Sequence, residues 1–340
     1  MQDPVVLTGI TGFIAKPVAA KLLNAGYTVR GTLRDPARAD ELRAALNPHL
    51  TDPAALERLG FTTLDLTRDE GWDDAMAGAG ALVHTASPFP ATGPKDEAEL
   101  IGPAVEGTRR ALAAARKAAV GRVVMTSSVA AVMHCDLAPG RDRVTEGDWT
   151  DPDHPTASAY TRSKTLAERA AWDFVADGGG PELVVLNPGF VVGAPFDARY
   201  GTSLRVIERL MRGKDPMLPH IALPVVHLDD VAEAHLRALS VPEAAGQRFL
   251  LADETLTMAQ MGQALKDAFP ARRIPTRQAP DLLIRAIGVF DPSVRMILPT
   301  LGFHRQVDST QARNVLGIDF APAAKALTDA GRWLEAEGRV

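Results

Sequence analysis

The stretch Val5-Val6-Leu7-Thr8-Gly9-Ile10-Thr11-Gly12-Phe13-Ile14-Ala15 decides the fold. Three consecutive apolar residues, two of them β-branched, read as a buried strand, and the segment from Pro17 to Ala25 carries helical spacing. Between them lies a G-x-x-G-x-x-A pattern. At a strand-to-helix junction the glycines let backbone approach a ligand closely, Ala15 lets the helix pack on the sheet, and unpaired N–H groups at the helix start face an anion. A nucleotide-phosphate turn is therefore expected at Gly9, Thr11, Gly12, Phe13 and Ile14.

The same alternation continues downstream. Apolar runs at Thr28 to Leu33, Phe61 to Leu64, Ala81 to His84, Arg122 to Thr126 and Leu183 to Leu186 are separated by helical stretches such as Leu100 to Ala119 and Thr156 to Ala176. Unbroken apolar strands between helices predict an α/β fold with a doubly wound parallel (Rossmann) sheet, covered on both faces. Beyond Asn187-Pro188-Gly189 glycines and prolines punctuate the chain, Asp229 to Leu239 reads as a helix, and Arg248 to Leu251 as one more strand. The expected division is 1–190 plus about 228–252 for the nucleotide-binding domain, and 191–227 plus about 253–340 for a smaller, interleaved substrate-binding region.

Composition narrows the function classes. A 340-residue chain that is 46% hydrophobic can bury a large core, and a net charge of -5 without a basic stripe argues against a nucleic-acid partner. Cys135 is the only cysteine, which excludes an intramolecular disulfide and fits a reducing, cytoplasmic setting. No basic leader or run of 18 apolar residues is seen, so neither a signal peptide nor a membrane partner is expected. The eight histidines lack a metal-ligand spacing, and His227 beside Asp229 and Asp230 fits a helix start better than a metal site. Hydrolase and P-loop motifs are missing as well. The Ala-rich helices are compatible with a monomer or a homodimer.

Three further positions carry chemistry. The second strand ends at Leu33-Arg34-Asp35, where an NAD site usually places a carboxylate; the Arg34 guanidinium suits a 2'-phosphate, so NADPH/NADP+ is expected over NADH. Arg34 as a loop cap, or Asp35 on the ribose, are the other readings. Asp65-Leu66 is read as the end of the third strand, where the carboxylate could accept from an adenine amino group and Leu66 pack on its ring, with a turn role for Asp65 as the alternative. Tyr160 and Lys164 lie one helical turn apart on one face, which places an ammonium beside a phenol able to act as a proton donor.

This pairing, added to the glycine turn, resembles the extended branch of the short-chain dehydrogenase/reductase superfamily. His84-Thr85-Ala86-Ser87-Pro88-Phe89, Thr126-Ser127-Ser128, Asn187-Pro188-Gly189-Phe190-Val191-Val192-Gly193 and Val226-His227-Leu228-Asp229-Asp230-Val231-Ala232 are similar, in colinear order over roughly residues 4 to 251, to the group of dihydroflavonol 4-reductase, cinnamoyl-CoA reductase and yeast-type carbonyl reductase. The resemblance implies a catalytic serine, tyrosine and lysine: Ser128, with Ser127 as the alternate, Tyr160 and Lys164. It places Thr85, Ala86 and Ser87 beneath the nicotinamide ribose and Pro188, Gly189 and Val191 near the carboxamide, with Thr126 in the cofactor site. Phe89, Phe190 and Tyr200 are candidate walls of a pocket for a small carbonyl substrate, or members of the core. The implied activity is NADPH-dependent reduction of a ketone or aldehyde with an apolar or aromatic substituent. Nucleotide-sugar epimerisation or dehydration, hydroxysteroid oxidation, and dinucleotide sensing without chemistry are the alternatives.

Overall fold

A computed structural model describes residues 3–87 and 96–340. Its strands are β1 (Val5–Thr8), β2 (Val29–Leu33), β3 (Leu59–Thr63), β4 (Ala81–His84), β5 (Arg122–Thr126), β6 (Arg143–Val144), β7 (Glu182–Pro188), β8 (Phe190–Val192), β9 (Ala222–His227), β10 (Arg248–Leu251), β11 (Glu254–Thr257) and β12 (Gln306–Val307). Seven of them form one parallel sheet in the order β10-β7-β5-β4-β1-β2-β3. The order reverses between β1 and β4, and in such sheets the crevice beyond the strand ends at that point is where ligands bind.

Helices cover both faces, as the unbroken apolar strands require. On one face α1 (Ala15–Asn24) and α2 (Ala39–Leu46) bury Val18, Leu22, Leu42 and Leu46. On the other, α3 (Trp72–Met76), α4 (Ala98–Lys117) and α5 (Ala159–Ala176) bury Trp72, Leu112, Ala167 and Ala171. The second lobe is built by β8, β9 and β11 with α6 (Thr202–Arg212), whose Leu204, Ile207 and Leu210 form one buried stripe. Helix α7 (Leu228–Ser240) returns to the first face beside α1. Then α8 (Met258–Ala268), α9 (Asp281–Phe290), α10 (Pro292–Arg295), α11 (Thr310–Val315) and α12 (Ala323–Ala336) follow, with α8 and α12 in the core of the second lobe.

Several boundaries differ from the sequence reading. The third strand ends at Thr63, so Asp65 and Leu66 lie in the loop beyond it; this edge strand pairs with β2 alone and is half-exposed, which blurs its apolar run. Strand β7 runs on through Asn187 and Pro188, because β10 pairs alongside and places Leu250 opposite Asn187. The expected division gave everything after about 253 to the second region. Ala312, Leu316, Ile318 and Phe320 instead pack in the core of the large sheet, an excursion that short proline-broken segments did not disclose.

Candidate active site

The glycine turn sits at the end of β1 as expected. Gly9 adopts φ +66°, and a Cβ there would come within 2.8 Å of the Ala86 Cβ, so only glycine fits between the ends of β1 and β4. Those ends are laced together: Thr85 Oγ1 donates to the Thr8 carbonyl at 2.6 Å, the Ala86 N–H donates to Thr8 Oγ1 at 3.2 Å, and Thr8 Oγ1 lies 2.9 Å from His84 Nδ1. Burial holds His84 down at about 4, with the Lys164 cation adding to the effect, so this imidazole is neutral. Ile14 stands at the cap of α1. Ser87 is exposed at the rim, while Phe89, the expected aromatic wall, lies outside the described residues with Pro88.

A cavity of about 870 Å³ lies alongside, lined by Thr11, Gly12 and Phe13 together with Arg199, Tyr200 and Arg205. The lining suits an anion: backbone of a phosphate turn on one element and guanidinium groups on another. These residues fit the pyrophosphate of a dinucleotide. Tyr200, read as a possible substrate wall, belongs to this cavity; its O–H donates to Glu208 at 2.9 Å and its ring meets Trp333 edge-on at 5.5 Å. Burial, then the Glu208 carboxylate, push its phenol above the ordinary range.

At the end of β2, Arg34 is exposed and forms no ion pair with any described residue. Asp35 accepts from the Ala37 N–H at 3.1 Å, a turn bond, and Arg38, passed over in the sequence, is neutralised by Glu41 through contacts of 3.1 and 3.0 Å. Arg34 is thus the cation of this turn in no direct ion pair with a described residue, though its charge reaches Asp65. Asp65 uses Oδ1 in a turn, accepting from the Thr67 N–H at 2.9 Å and its hydroxyl at 2.8 Å, which hold the carboxyl below its usual range. Leu66 faces Gly107 of α4, where a Cβ would meet it at 3.6 Å.

Helix α5 begins one residue before Tyr160 because Ser158 caps it, its Oγ accepting from the Thr161 N–H at 3.2 Å. Tyr160 is 37% exposed, and Lys164 Nζ lies 6.0 Å from the centroid of its ring. The helix packs on the single turn Val129–Ala131. Ser128 caps that turn: its Oγ accepts from the Ala130 N–H at 3.2 Å, which leaves the hydroxyl proton to donate. Ser127, the alternate, is committed elsewhere, donating to Glu168 at 2.5 Å. Thr126 is committed too. His235 Nδ1 lies 2.7 Å from the Val231 carbonyl and must donate to it, so Nε2 accepts from the Thr126 hydroxyl at 2.6 Å.

Pro188 ends β7, and a Cβ on Gly189 would fall 2.2 Å from the Pro224 carbonyl oxygen, so this position too admits only glycine. Val191 is buried in the core of the large sheet and Phe190 packs on the core of the second lobe. His227 is structural: Nδ1 accepts from the Asp229 N–H at 3.0 Å, capping α7, and Nε2 meets Asp329 at 3.2 Å. Among the described residues no group of three or more His, Cys, Asp or Glu could hold a metal, and no helix is long and apolar enough to cross a membrane. Sequence reasoning missed Glu168 and Arg248, which form a buried pair under the site; the spacing Tyr160, Lys164, Glu168 was the available signal.

Residues 5–252 match the sequence model of the NAD dependent epimerase/dehydratase family, nearly the span over which the motifs were colinear. A dihydroflavonol 4-reductase of Hordeum vulgare is 34% identical over 287 residues, covering 82% of this chain and 78% of that one. Cinnamoyl-CoA reductase 1 of Petunia hybrida is 33% identical over 342 residues, covering 99% of this chain and 93% of its own. Among solved structures, yeast methylglyoxal/isovaleraldehyde reductase Gre2 complexed with NADPH superposes with a TM-score of 0.79 at 28% identity, over 99% of this chain and 100% of that one.

Proposed function

The chain belongs to the NAD dependent epimerase/dehydratase family, and we propose that it acts there as an NADPH-dependent oxidoreductase of the extended short-chain type. In this reading it reversibly reduces a ketone or aldehyde with an apolar or aromatic substituent to the alcohol. The observation that carries the proposal is the exposed Tyr160 with Lys164 one turn behind it, on a helix packed against the turn that Ser128 caps with its own proton still to give. The similarity to reductases, one of them an NADPH complex, supports it.

NADPH, when bound along Gly9, Thr11, Gly12, Phe13 and Ile14 with its 2'-phosphate toward Arg34, supplies the hydride that reaches the carbonyl carbon. The chain's own residues manage the oxygen. Ser128 donates a hydrogen bond that orients the carbonyl, and Tyr160 transfers its phenolic proton to the oxygen as the alcohol forms, taking it back in the oxidative direction. Lys164 offsets the charge left on the phenolate oxygen.

The test is loss of NADPH absorbance with a panel of aryl ketones, aldehydes and diketones. Tyr160→Phe should lower kcat by about 100-fold or more while the NADPH dissociation constant stays within about twofold. A Tyr160→Phe enzyme that keeps kcat within about threefold of the parent would remove the proton-donor assignment. Tight NADPH binding without turnover of any carbonyl would point to a dinucleotide sensor instead.

A further inference from the structure

Tyr160, Lys164 and Glu168 follow one another at intervals of four on α5, so one face of the helix carries all three, with Glu168 about 12 Å along the axis from Tyr160. Glu168 is fully buried, and a carboxylate taken out of water must be met by donors or by a cation. Four side chains meet it. Ser127, at the end of β5, donates its hydroxyl to Oε2 at 2.5 Å, and Asn187 of β7 donates Nδ2–H to the same oxygen at 2.7 Å. Trp172, one turn further along α5, donates Nε1–H to Oε1 at 3.4 Å. Arg248 of β10 brings Nη2 to 2.7 Å from Oε1 as an ion pair, off the line of a directional hydrogen bond.

The cation is itself anchored. Its Cζ lies 3.9 Å from the centroid of the Trp149 ring, and Nη1 donates to the Asp148 carbonyl at 3.0 Å and the Glu146 carbonyl at 3.3 Å. Asn187 completes the arrangement, since its Nδ2 also donates to the carbonyl oxygen of Ser128 at 3.0 Å.

We infer that Glu168 is a positioning residue for the reduction, its buried carboxylate setting where the helix with Tyr160 and Lys164 stands against the strand end with Ser128. The inference rests on the roles assigned to those three residues above. An ion pair between any two core elements would stabilise the fold, but this carboxylate is tied to the serine itself: Ser127 is its chain neighbour, and Asn187 holds both Glu168 and the Ser128 carbonyl. A shift of the carboxylate is thereby transmitted to the Ser128 backbone. Misplacement of a catalytic group by about 1 Å can cost on the order of 100-fold in rate. Glu168 touches no reacting atom, so its effect is expected in kcat and not in binding.

Ser127→Ala removes one donor and leaves the pair with Arg248 in place, so this variant is expected to fold. Its kcat should fall about tenfold or more, with KM for the carbonyl and the NADPH dissociation constant within about twofold of the parent. Glu168→Gln, assayed beside it, should lose stability as well as kcat, because Arg248 then faces an uncharged amide. If both variants turned over with the parent's kcat and merely melted earlier, the role would be stabilisation alone and the inference would be overturned. Tyr160→Phe in the same assay separates the two levels. A fully active Tyr160→Phe removes the proton-donor assignment and the positioning role together, whereas a dead Tyr160→Phe beside unimpaired Ser127→Ala and Glu168→Gln removes the positioning role only.

Discussion

At the phosphate end of the crevice Thr8 meets the buried ring of His84 at 2.9 Å, and a buried cation, Lys16, pairs with Asp197 at 2.5 Å. At the catalytic end Thr126 meets the buried ring of His235 at 2.6 Å, and Arg248 pairs with Glu168 at 2.7 Å. The parts match, but the two pairs are built from different elements and their carboxylates differ in burial, Glu168 being fully enclosed and Asp197 partly open to solvent. Glu168 accepts from Ser127, Asn187 and Trp172 besides its cation, and everything it binds belongs to the large sheet and its helix. Asp197 sits in the loop leading to α6 of the second lobe; its Oδ1 receives Lys16 and the Arg199 N–H, while its buried Oδ2 has no partner among the described residues. Burial pushes the Lys16 ammonium below its ordinary range despite Asp197. The proposed catalytic groups thus stand on one unit, whereas the glycine-turn end is held across two lobes, and buried atoms without a partner among the described residues occur in both clusters: Arg248 Nε and Nη2 and Asn187 Oδ1 in one, Asp197 Oδ2 in the other.

Removing each cation with its stem preserved tests that contrast. Arg248→Met strands the fully enclosed Glu168 carboxylate and should cost about 3–5 kcal/mol in urea unfolding. Lys16→Met leaves Asp197 partly in water and still bonded to the Arg199 N–H, so about 1–3 kcal/mol is expected. Equal losses would erase the distinction between the two ends.

The same contrast explains what could be read from the chain. Gly9, Gly12, Tyr160 and Lys164 are legible because local geometry dictates their spacing: a turn between strand and helix, and one helical turn. Ser127 and Ser128 could not be separated, since alternation along a strand says that neighbours face opposite ways without saying which way each faces. In the structure Ser127 turns to Glu168, which supports Ser128 as the proposed carbonyl donor. Glu168 lay on the visible Tyr160-Lys164 face, but its cation comes from β10, brought near only by the order β10-β7-β5. Asp197 and Lys16 were hidden for the same reason, a pairing made by the fold between segments far apart in sequence.

The two histidines predict an effect of comparable size that appears only in acid, alike at both ends. An imidazole in the unfolded chain takes its proton near pH 6.5, but burial lets His84 and His235 do so only at about 4, so the folded state binds fewer protons across that window. Their contribution is complete above about pH 6.5 and is lost as pH falls through about 4, amounting to about 3 kcal/mol for each ring. His84→Gln and His235→Gln should each flatten the acid decline of unfolding free energy between neutral pH and pH about 4. A decline unchanged in either variant would mean that its ring is not kept neutral by the fold.

The least effect is expected where the phosphate end is most open. Arg34 is exposed and in no direct ion pair with a described residue, its charge felt only at a distance by Asp65, while Arg38 on the same turn pairs with Glu41, so Arg34 is the residue proposed to answer a 2'-phosphate. Arg34→Ser should raise KM for NADPH about tenfold, the equivalent of about 1.4 kcal/mol, and leave KM for NADH within about twofold. Arg38→Ser should change the ratio of the two constants far less. If the two substitutions shifted that ratio equally, Glu41 would have to release Arg38 when the phosphate arrives. The phosphate end would then rearrange around its ligand, while the catalytic end, closed on Glu168, would not.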